Sequence, residues 1–578
     1  MKNRKQWWIA LAAVALTGPL AACGELEVTN PNAPERERAF SDPATIIASA
    51  AGTMKTYMNT RYAYSPSLTL AVMADHTTFS WNNFNGRYYS SYGVDCGNRC
   101  GWVNSTSTQL GSQVEPYWYG MYSVLSSAND ALFALRLAAV PANLGAQRDA
   151  VEAIAQMAQG MAHAFIALNY DQGFIVEEDV DTPEELAALT LSGRAAIRDK
   201  AIALLEKAYV IANTKTFSTG ATWFGTVNSP VYTSKQLAKV VRTMQAELLA
   251  HYPRNSEENA QVNWGQVTTY ASQGVSSAVN GAGFDFEAYQ DENFDFFSGF
   301  HAWANDYSTT RVDTRVARLI ATNQVDPWPG GTGNPRPNAG IYGLDARLGD
   351  GCFGDEPDFL GLGECQATAN SGTDFAWSPI AIFIPGRGSF HQSNIGLTRY
   401  HCVTAVYPDC PTGAGTIPMY TKAFNDLLWA EGLLRTNGSA TQAATLINNS
   451  RVGRGALPAL TGGEGTANLL KAMVYEQEVE GFSSAPGPFY NRRRYTSSAQ
   501  VALPEAYNRL WPDTPRHMPV PAKDLQLLLA EIYTFGGPTN PGGVAPGFES
   551  VGKVRSVRDI WADYERENRA MGKARRRQ

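Results

Sequence analysis

RDAVEAIAQMAQGMAHAFIALNY, residues 148 to 170, decides the fold class. Val151, Ile154, Ala158, Met161, Phe165 and Leu168 recur every three or four residues, the spacing that puts them on one face of a helix. The same period returns on either side. Ile197, Ala201, Leu204, Leu205 and Ala208 mark a helix over Ala195–Asn213, and Leu237, Val241, Met244 and Leu248 mark one over Ser234–Tyr252. Trp264, Val267 and Ala271 suggest another over Asn263–Val279. Late in the chain Met419–Leu434 and Thr441–Arg451 form a pair joined by Asn437-Gly438, two residues that tolerate the left-handed backbone of a helix stop. Successive amphipathic helices with short connections bury their stripes on one another as stacked hairpins. The expectation is a mainly α protein, a right-handed superhelix of tetratricopeptide-like hairpins with few short strands. The strict tetratricopeptide consensus is absent.

Two stretches break the pattern. Residues 281–418 are crowded with Gly, Pro, Asp, Asn and aromatics, and residues 75–102 share that character. Loops of this kind on a rigid helical frame are where function concentrates.

The N-terminus carries an address. Lys2, Arg4 and Lys5 precede an apolar run from Trp7 to Leu16, and Leu20-Ala21-Ala22 precedes Cys23. A basic start, a short apolar segment and small residues before the cut describe an export signal. The ten-residue run is about half of the ~20 needed to span a bilayer as a helix. A cysteine at the cut is the lipoprotein pattern, with signal 1–22 removed and Cys23 carrying the lipid. Residues 23–45, with Asn30-Pro31-Asn32-Ala33-Pro34, are expected to be a flexible linker, followed by a helical-hairpin region 46–280 and a C-terminal region 281–578 that contains the loop-rich insertion 281–418.

The formal net charge is −7. A mild acidic balance spread along the chain argues against nucleic acid as a ligand, which needs a basic stripe. The basic run Lys573–Arg577 is expected to be a frayed tail. Besides Cys23, six cysteines fall in close pairs: Cys96 with Cys100, Cys352 with Cys365, Cys402 with Cys410. In an exported chain these read as local disulfides, although six cysteines allow fifteen pairings. Zinc is disfavoured because no matching His or Cys cluster accompanies Cys96-x3-Cys100.

Taken in order, several segments resemble the SusD/RagB family of surface lipoproteins. They are Leu26-Glu27-Val28-Thr29-Asn30-Pro31-Asn32 after the lipid cysteine, YWYGMYSVLSSAN at Tyr117–Asn129, and Ala155–Tyr170 with Gly173 and Glu177. YTKAFNDLLWAEGLL at Tyr420–Leu434, the Glu-rich Tyr475–Glu480, and Met518-Pro519-Val520-Pro521 with Asp524-Leu525 complete the set. The chain departs at Ala485-Pro486-Gly487-Pro488 and at Phe489-Tyr490-Asn491-Arg492-Arg493, where the family has Phe-Asp-x-Arg-Arg. The resemblance implies a non-catalytic protein on the outer-membrane surface. It would capture oligosaccharide, or oligopeptide in the RagB branch, and deliver it to a SusC-like TonB-dependent barrel. It implies no cofactor, with calcium among the loop aspartates left open.

The binding candidates come from the two loop regions. Trp81, Asn82, Asn83, Phe84, Arg87, Tyr88, Tyr89 and Trp102 interleave aromatic faces with amide and guanidinium forks; Trp303 and Tyr307 form a second tier, with Trp328 and Trp377 beyond. Flat apolar walls with a few placed polar groups suit the CH face of a sugar or a peptide side chain. Glu431, Glu476 and Glu480 are expected to be buried helix carboxylates, with Arg492, Arg493 and Arg494 as partners. The acidic run Asp285, Glu287, Asp291, Glu292 and Asp295 carries the weaker reading of a glycoside hydrolase. His-Glu-x-x-His and Gly-x-Ser-x-Gly are both absent, and Gly547–Lys553 has phosphate-loop spacing without the Ser or Thr that must follow.

Overall fold

A computed structural model of the chain describes residues 41–537, apart from 80–85, 91–95, 97–98, 137–142, 181, 278–281, 294, 305–309, 322–342, 353–372, 378–392, 394, 404–411, 485 and 497–508. The signal, Cys23 and most of the linker therefore lie outside the described residues. The first helix begins inside the range 23–45 expected for the linker. Helix α1 (Pro43–Arg61) begins at Pro43, because Asp42 caps it by accepting from the Ala44 N–H at 3.1 Å and Pro43 suits the first helical position.

Further helices follow among the described residues. They include α2 (Glu115–Arg136), α3 (Arg148–Asn169), α4 (Arg194–Thr214), α5 (Ser234–His251), α6 (Trp264–Ser272), α7 (Lys422–Arg435), α8 (Ala440–Arg451) and α9 (Thr466–Val479). Each packs on the next in chain order, so neighbours in sequence are neighbours in space. The mainly α class follows, with only short strands beside it. Thr233 and Gln236 form a capping box at α5, and Asn263, Thr421 and Ser439 cap α6, α7 and α8. Asn437 takes φ +54° between α7 and α8, and the Gly438 N–H closes on the Leu433 carbonyl at 2.8 Å.

Two helix boundaries differ from the sequence reading. Helix α6 stops at Ser272 rather than Val279, where Gln273-Gly274 turns the chain against Thr243 and Asn425. Met419 and Tyr420, expected to open α7, belong to a strand instead, since Thr421 supplies the cap one residue later.

The opening stretch also differs in kind. From Ala153 to Asn169 every residue of α3 is buried, not one face of it. A helix enclosed on all sides lies in the middle of a stack, and α1, α2 and α4 enclose this one. Small residues allow the close approach: a Cβ on Gly160 would stand 2.6 Å from Leu205 Cγ. Its polar residues are internally satisfied. Gln159 donates to Asn129 Oδ1 at 2.6 Å, and Tyr490 donates to Asn169 Oδ1 at 3.0 Å.

Short strands complete the frame, among them an antiparallel pair of Gln172–Gly173 with Ser192–Gly193. Strand β1 (Thr77–Phe79) pairs antiparallel with β3 (Thr310–Val312). Strand β2 (Phe286–Gln290) pairs antiparallel with β7 (Gly415–Tyr420), from Phe286↔Tyr420 to Gln290↔Gly415. The insertion thus leaves and rejoins the helical frame at one place. Inside it, β4 (Leu348–Cys352), β5 (Phe375–Trp377) and β6 (Ile395–Leu397) form a three-stranded sheet. One large core runs from Ile46 to Phe535 and so draws on both sides of position 280, with a smaller cluster around α7, α8 and α9. The Pro-x-Pro segment closes the molecule. The Met518 N–H donates to Asn169 O at 2.6 Å, and Asn104 takes the Ala522 N–H at 2.8 Å while donating to Val520 O at 2.9 Å.

Candidate functional site

The ladder between β1 and β3 brings the two loop regions together. Its pairs are Thr77↔Val312, Thr78↔Arg311 and Phe79↔Thr310. Past Phe79 the chain continues toward Trp81, Asn82, Asn83 and Phe84; just before Thr310 lies Tyr307. Both segments therefore depart from the same end of one ribbon. Trp81, Asn82, Asn83, Phe84 and Tyr307 themselves lie outside the described residues, as do Trp328, Cys365 and Cys410.

The foot of this ribbon is rigid. Asp75, buried with φ +53°, pairs with both Arg99 and Arg315. The Asp313 N–H donates to His76 O at 2.9 Å, and Asp313 caps the helix Thr314–Ile320 through the Arg315 N–H at 2.8 Å. The Arg311-x-Asp313-x-Arg315 segment is a brace for the ribbon.

A half-buried aromatic face stands beside it. Trp303, on the short helix Gly299–Ala304, meets Tyr64 edge to face with centroids 5.6 Å apart, and Tyr64 meets Phe297 the same way at 5.3 Å. All three rings are partly exposed. Trp303 O accepts from Thr310 Oγ1 at 2.7 Å, which ties this helix to the ribbon. Gly299 is needed for the approach, since a Cβ there would stand 2.8 Å from the Tyr64 backbone N. Polar groups follow at the end of α1: Lys55 pairs with Asp295, and Asn59 Nδ2 donates to Asp295 O at 3.4 Å. Apolar rings with a few polar groups around them make a recognition surface. Tyr64 and Phe297 were not among the sequence candidates. Tyr64 lies 239 residues from Trp303, beside Tyr57 and Tyr62 at the end of α1 and outside both loop regions.

The other candidates divide by burial. Tyr89 is 0% exposed and Trp102 is 2% exposed, so neither presents a ring to a ligand. Their rings meet at a tilt of 52° with centroids 5.1 Å apart, and Trp102 Nε1 donates to His517 O at 2.8 Å. Trp102 also ties the segment around His517 and Phe535 to the body, its backbone N–H donating to Phe535 O at 3.0 Å. Tyr88 is half-buried and meets Tyr89 edge to face at 5.0 Å. Arg87 lies on the short helix Gly86–Ser90. Cys96 and Cys100 form a disulfide with Cα atoms 5.1 Å apart, Cys402 is also disulfide-bonded, and Cys352 ends β4.

The glutamates are structural, with partners only partly as expected. Glu431 is gripped by Arg494 and Arg435 and sits far below the ordinary carboxylate range despite its burial. Glu476 and Glu480 instead share Arg347, at 2.7 and 3.2 Å, and Arg399 and Arg454 add to Glu480. Arg492 pairs with Glu478, while Arg493 donates to the carbonyls of Leu168, His251 and Arg516. Burial would raise Glu478, but Arg492 holds it down to about 2.

Much of the acidic run is engaged in holding the fold. Asp291 accepts from Thr226 Oγ1 and from the N–H groups of Asn293 and Asp295, a turn-stabilising role. Asp295 is paired with Lys55, and Asp285 accepts the Lys422 N–H. Burial and nearby Asp285 push Glu287 up to about 7. Acid–base glycoside cleavage needs two carboxyls flanking one bond. Among the described residues no group of three or more His, Cys, Asp or Glu could hold a metal, and no helix is long and apolar enough to cross a membrane. A cavity under α7 lined by Arg61, His251, Tyr420 and Phe424 has about 30 Å³ of free volume, room for a water and not for a sugar ring.

No protein-family model and no curated protein matches the chain. Solved structures do. A SusD-like carbohydrate binding protein from Bacteroides fragilis matches at a TM-score of 0.50 and 14% identity, over 78% of this chain and 86% of that one. Surface glycan-binding protein A from Bacteroides thetaiotaomicron matches at 0.49 and 12%, over 86% and 99%. Its namesake from Bacteroides uniformis matches at 0.49 and 12%, over 85% and 98%. The fold of this chain is SusD-like.

Proposed function

We propose that this protein is a non-catalytic, SusD/RagB-type surface lipoprotein that captures oligosaccharide and delivers it to a TonB-dependent outer-membrane barrel. The observation that carries the reading is the Phe79↔Thr310 pairing, which sets the bases of both aromatic loop segments side by side next to Tyr64, Phe297 and Trp303. Two segments rich in aromatic and amide groups, rooted at one place, form a single recognition surface. The SusD-like fold supports it, as does the carbohydrate binding of the Bacteroides fragilis protein that shares that fold. Support for the address comes from the lipoprotein pattern ending at Cys23. Several acyl chains on one cysteine would hold the protein at the membrane, where one chain is marginal.

The test is calorimetric titration of the full mature chain against a panel of plant, fungal and host glycans, repeated with Trp303→Ala. Binding to at least one glycan that weakens at least tenfold in the variant is the expected result. Binding of protein-digest peptides with no glycan affinity would move the ligand to oligopeptide. Glycan affinity untouched by Trp303→Ala would move the site elsewhere. Co-purification of a large barrel from gently solubilised membranes tests the delivery role separately.

A further inference from the structure

Arg99 joins both flanks of the first aromatic segment. Its Nη1 donates to Tyr89 O at 2.6 Å and its Nη2 donates to Asp75. Asp75 stands two residues before β1, and Tyr89 lies on the short helix Gly86–Ser90. Trp81, Asn82, Asn83 and Phe84 fall between these two elements in sequence. Asp75 also takes Arg315, whose Nη2 donates to Arg509 O at 2.7 Å. One carboxylate therefore carries a guanidinium from each loop region, Arg99 from 75–102 and Arg315 from the insertion. Asp75 is 1% exposed and Arg99 0%. Charged hydrogen bonds shielded from water in this way fix the geometry of the groups they join.

The next residue keeps Arg99 in place. Cys100 is bonded to Cys96, which closes a short loop on Arg99. The two sulfurs differ in access. Cys100 is 0% exposed, whereas Cys96 is half-buried and its Sγ lies 3.8 Å from the Tyr88 hydroxyl. A dithiol reductant therefore meets Cys96 first. Its thiolate attacks Cys96 Sγ, and Cys100 leaves as a thiolate and takes a proton. The second thiol of the reductant then closes a disulfide within the reductant and releases Cys96 as a thiol. Two electrons and two protons pass to the protein. The parted sulfurs need more room than a bond leaves them. Cys100 sits in close-packed surroundings, so the shift passes to the backbone at Arg99.

We propose that Arg99 is a positioning residue of the recognition surface and that the Cys96–Cys100 disulfide is its redox latch. Closed, the latch holds both flanks of the first aromatic segment against the insertion. Reduced, it lets them slacken, and ligand is held less tightly. The effect on ligand rests on the glycan-capture reading above; the effect on the ribbon does not.

Amide exchange of the full mature chain, oxidised and after dithiothreitol, tests this beside the glycan titration. Segments 75–79 and 310–315 should exchange about tenfold faster once reduced, and glycan affinity should fall about fivefold. The Cys96→Ser, Cys100→Ser chain should match the reduced wild type and respond no further to dithiothreitol, although Cys402 is also disulfide-bonded. Arg99→Gln should loosen the same segments, and reduction should then add little, because latch and positioning residue act as one unit. A staple with no part in placing Arg99 would give additive losses. Unchanged exchange on reduction would overturn the proposal, as would loosening that the double-serine chain does not reproduce. A loosened ribbon with unaltered glycan affinity would overturn its ligand half. No glycan affinity in the oxidised chain would strike the capture reading, while the exchange result still decides the latch.

Discussion

Trp303 stands edge-on to Tyr64, with ring centroids 5.6 Å apart, although 239 residues separate them. Trp102, a stronger candidate by local sequence, sits in the core at 2% exposure. One tryptophan belongs to the surface and the other to the frame, and they should respond differently to the same substitution.

Trp303→Ala is expected to cost only about 1 kcal/mol of stability, for the lost edge-to-face contact with Tyr64, and about 1.5–3 kcal/mol of ligand affinity. Trp102→Ala should cost about 3–5 kcal/mol of stability, because it empties a core site and removes the bond to His517 O. Urea unfolding beside ligand titration separates the two.

Arg347 holds Asp345, Glu476 and Glu480 together in a fully buried cluster. Arg347→Ala should destabilise by about 3–5 kcal/mol, since three carboxylates lose a shared buried counter-charge. Arg347→Lys should recover little of it, because a single ammonium does not reproduce the guanidinium fork. Burial already raises Glu476 against the pull of Arg347, so the Ala variant should be less impaired at pH 5 than at pH 8. Denaturant midpoints at the two pH values check this.

His163 lies inside α3, donating Nδ1–H to Gln159 O at 2.8 Å and accepting the Val176 N–H on Nε2 at 3.2 Å. Burial lowers it from 6.5 to about 4. The unfolded chain therefore binds the proton first as pH falls, and stability present above pH 6.5 is lost between about 6.5 and 4. His163→Gln removes that titration. The stability gap between wild type and variant should close by about 3 kcal/mol across the window, at 1.36 kcal/mol per pKa unit. A gap that stays constant from pH 7 to 4 would refute the neutral, doubly bonded imidazole.

Cys96 and Cys100 close a very short loop beside buried Arg99 and Trp102. Replacing both by serine should cost about 2 kcal/mol by loop-closure entropy. The loss should appear as faster amide exchange around Trp102 and Phe535, whose backbones are joined at 3.0 Å.

The helical frame was legible because period 3.6 survives burial: α3, α4, α5 and α8 lie within a residue or so of the boundaries their apolar spacing predicts. Periodicity was blind to degree. It implied one buried face on α3, where Ala, Gly and satisfied polar residues let neighbours close in all round. Glu431 and Arg494 could be paired from sequence because one tract holds the arginines and one helix the glutamates. Arg347 could not be foreseen, since it lies in the insertion 129 residues before Glu476. Aromatic-rich loops announce recognition, but composition does not say which rings turn inward. Tyr89 and Trp102 did, and Tyr64 came from outside both clusters.

The ribbon from Phe286↔Tyr420 to Gln290↔Gly415 brings the two ends of the insertion together. Lengthening a surface loop inside it therefore costs only chain-closure entropy, about 0.6 kcal/mol per doubling. The insertion as a whole cannot be exchanged so cheaply, because Val312, Val316, Phe375 and Leu397 lie in the main core and Arg315 holds Asp75 at the foot of the ribbon. Specificity can vary through loop length while these anchors, and Arg347 on Glu476 and Glu480, stay in place.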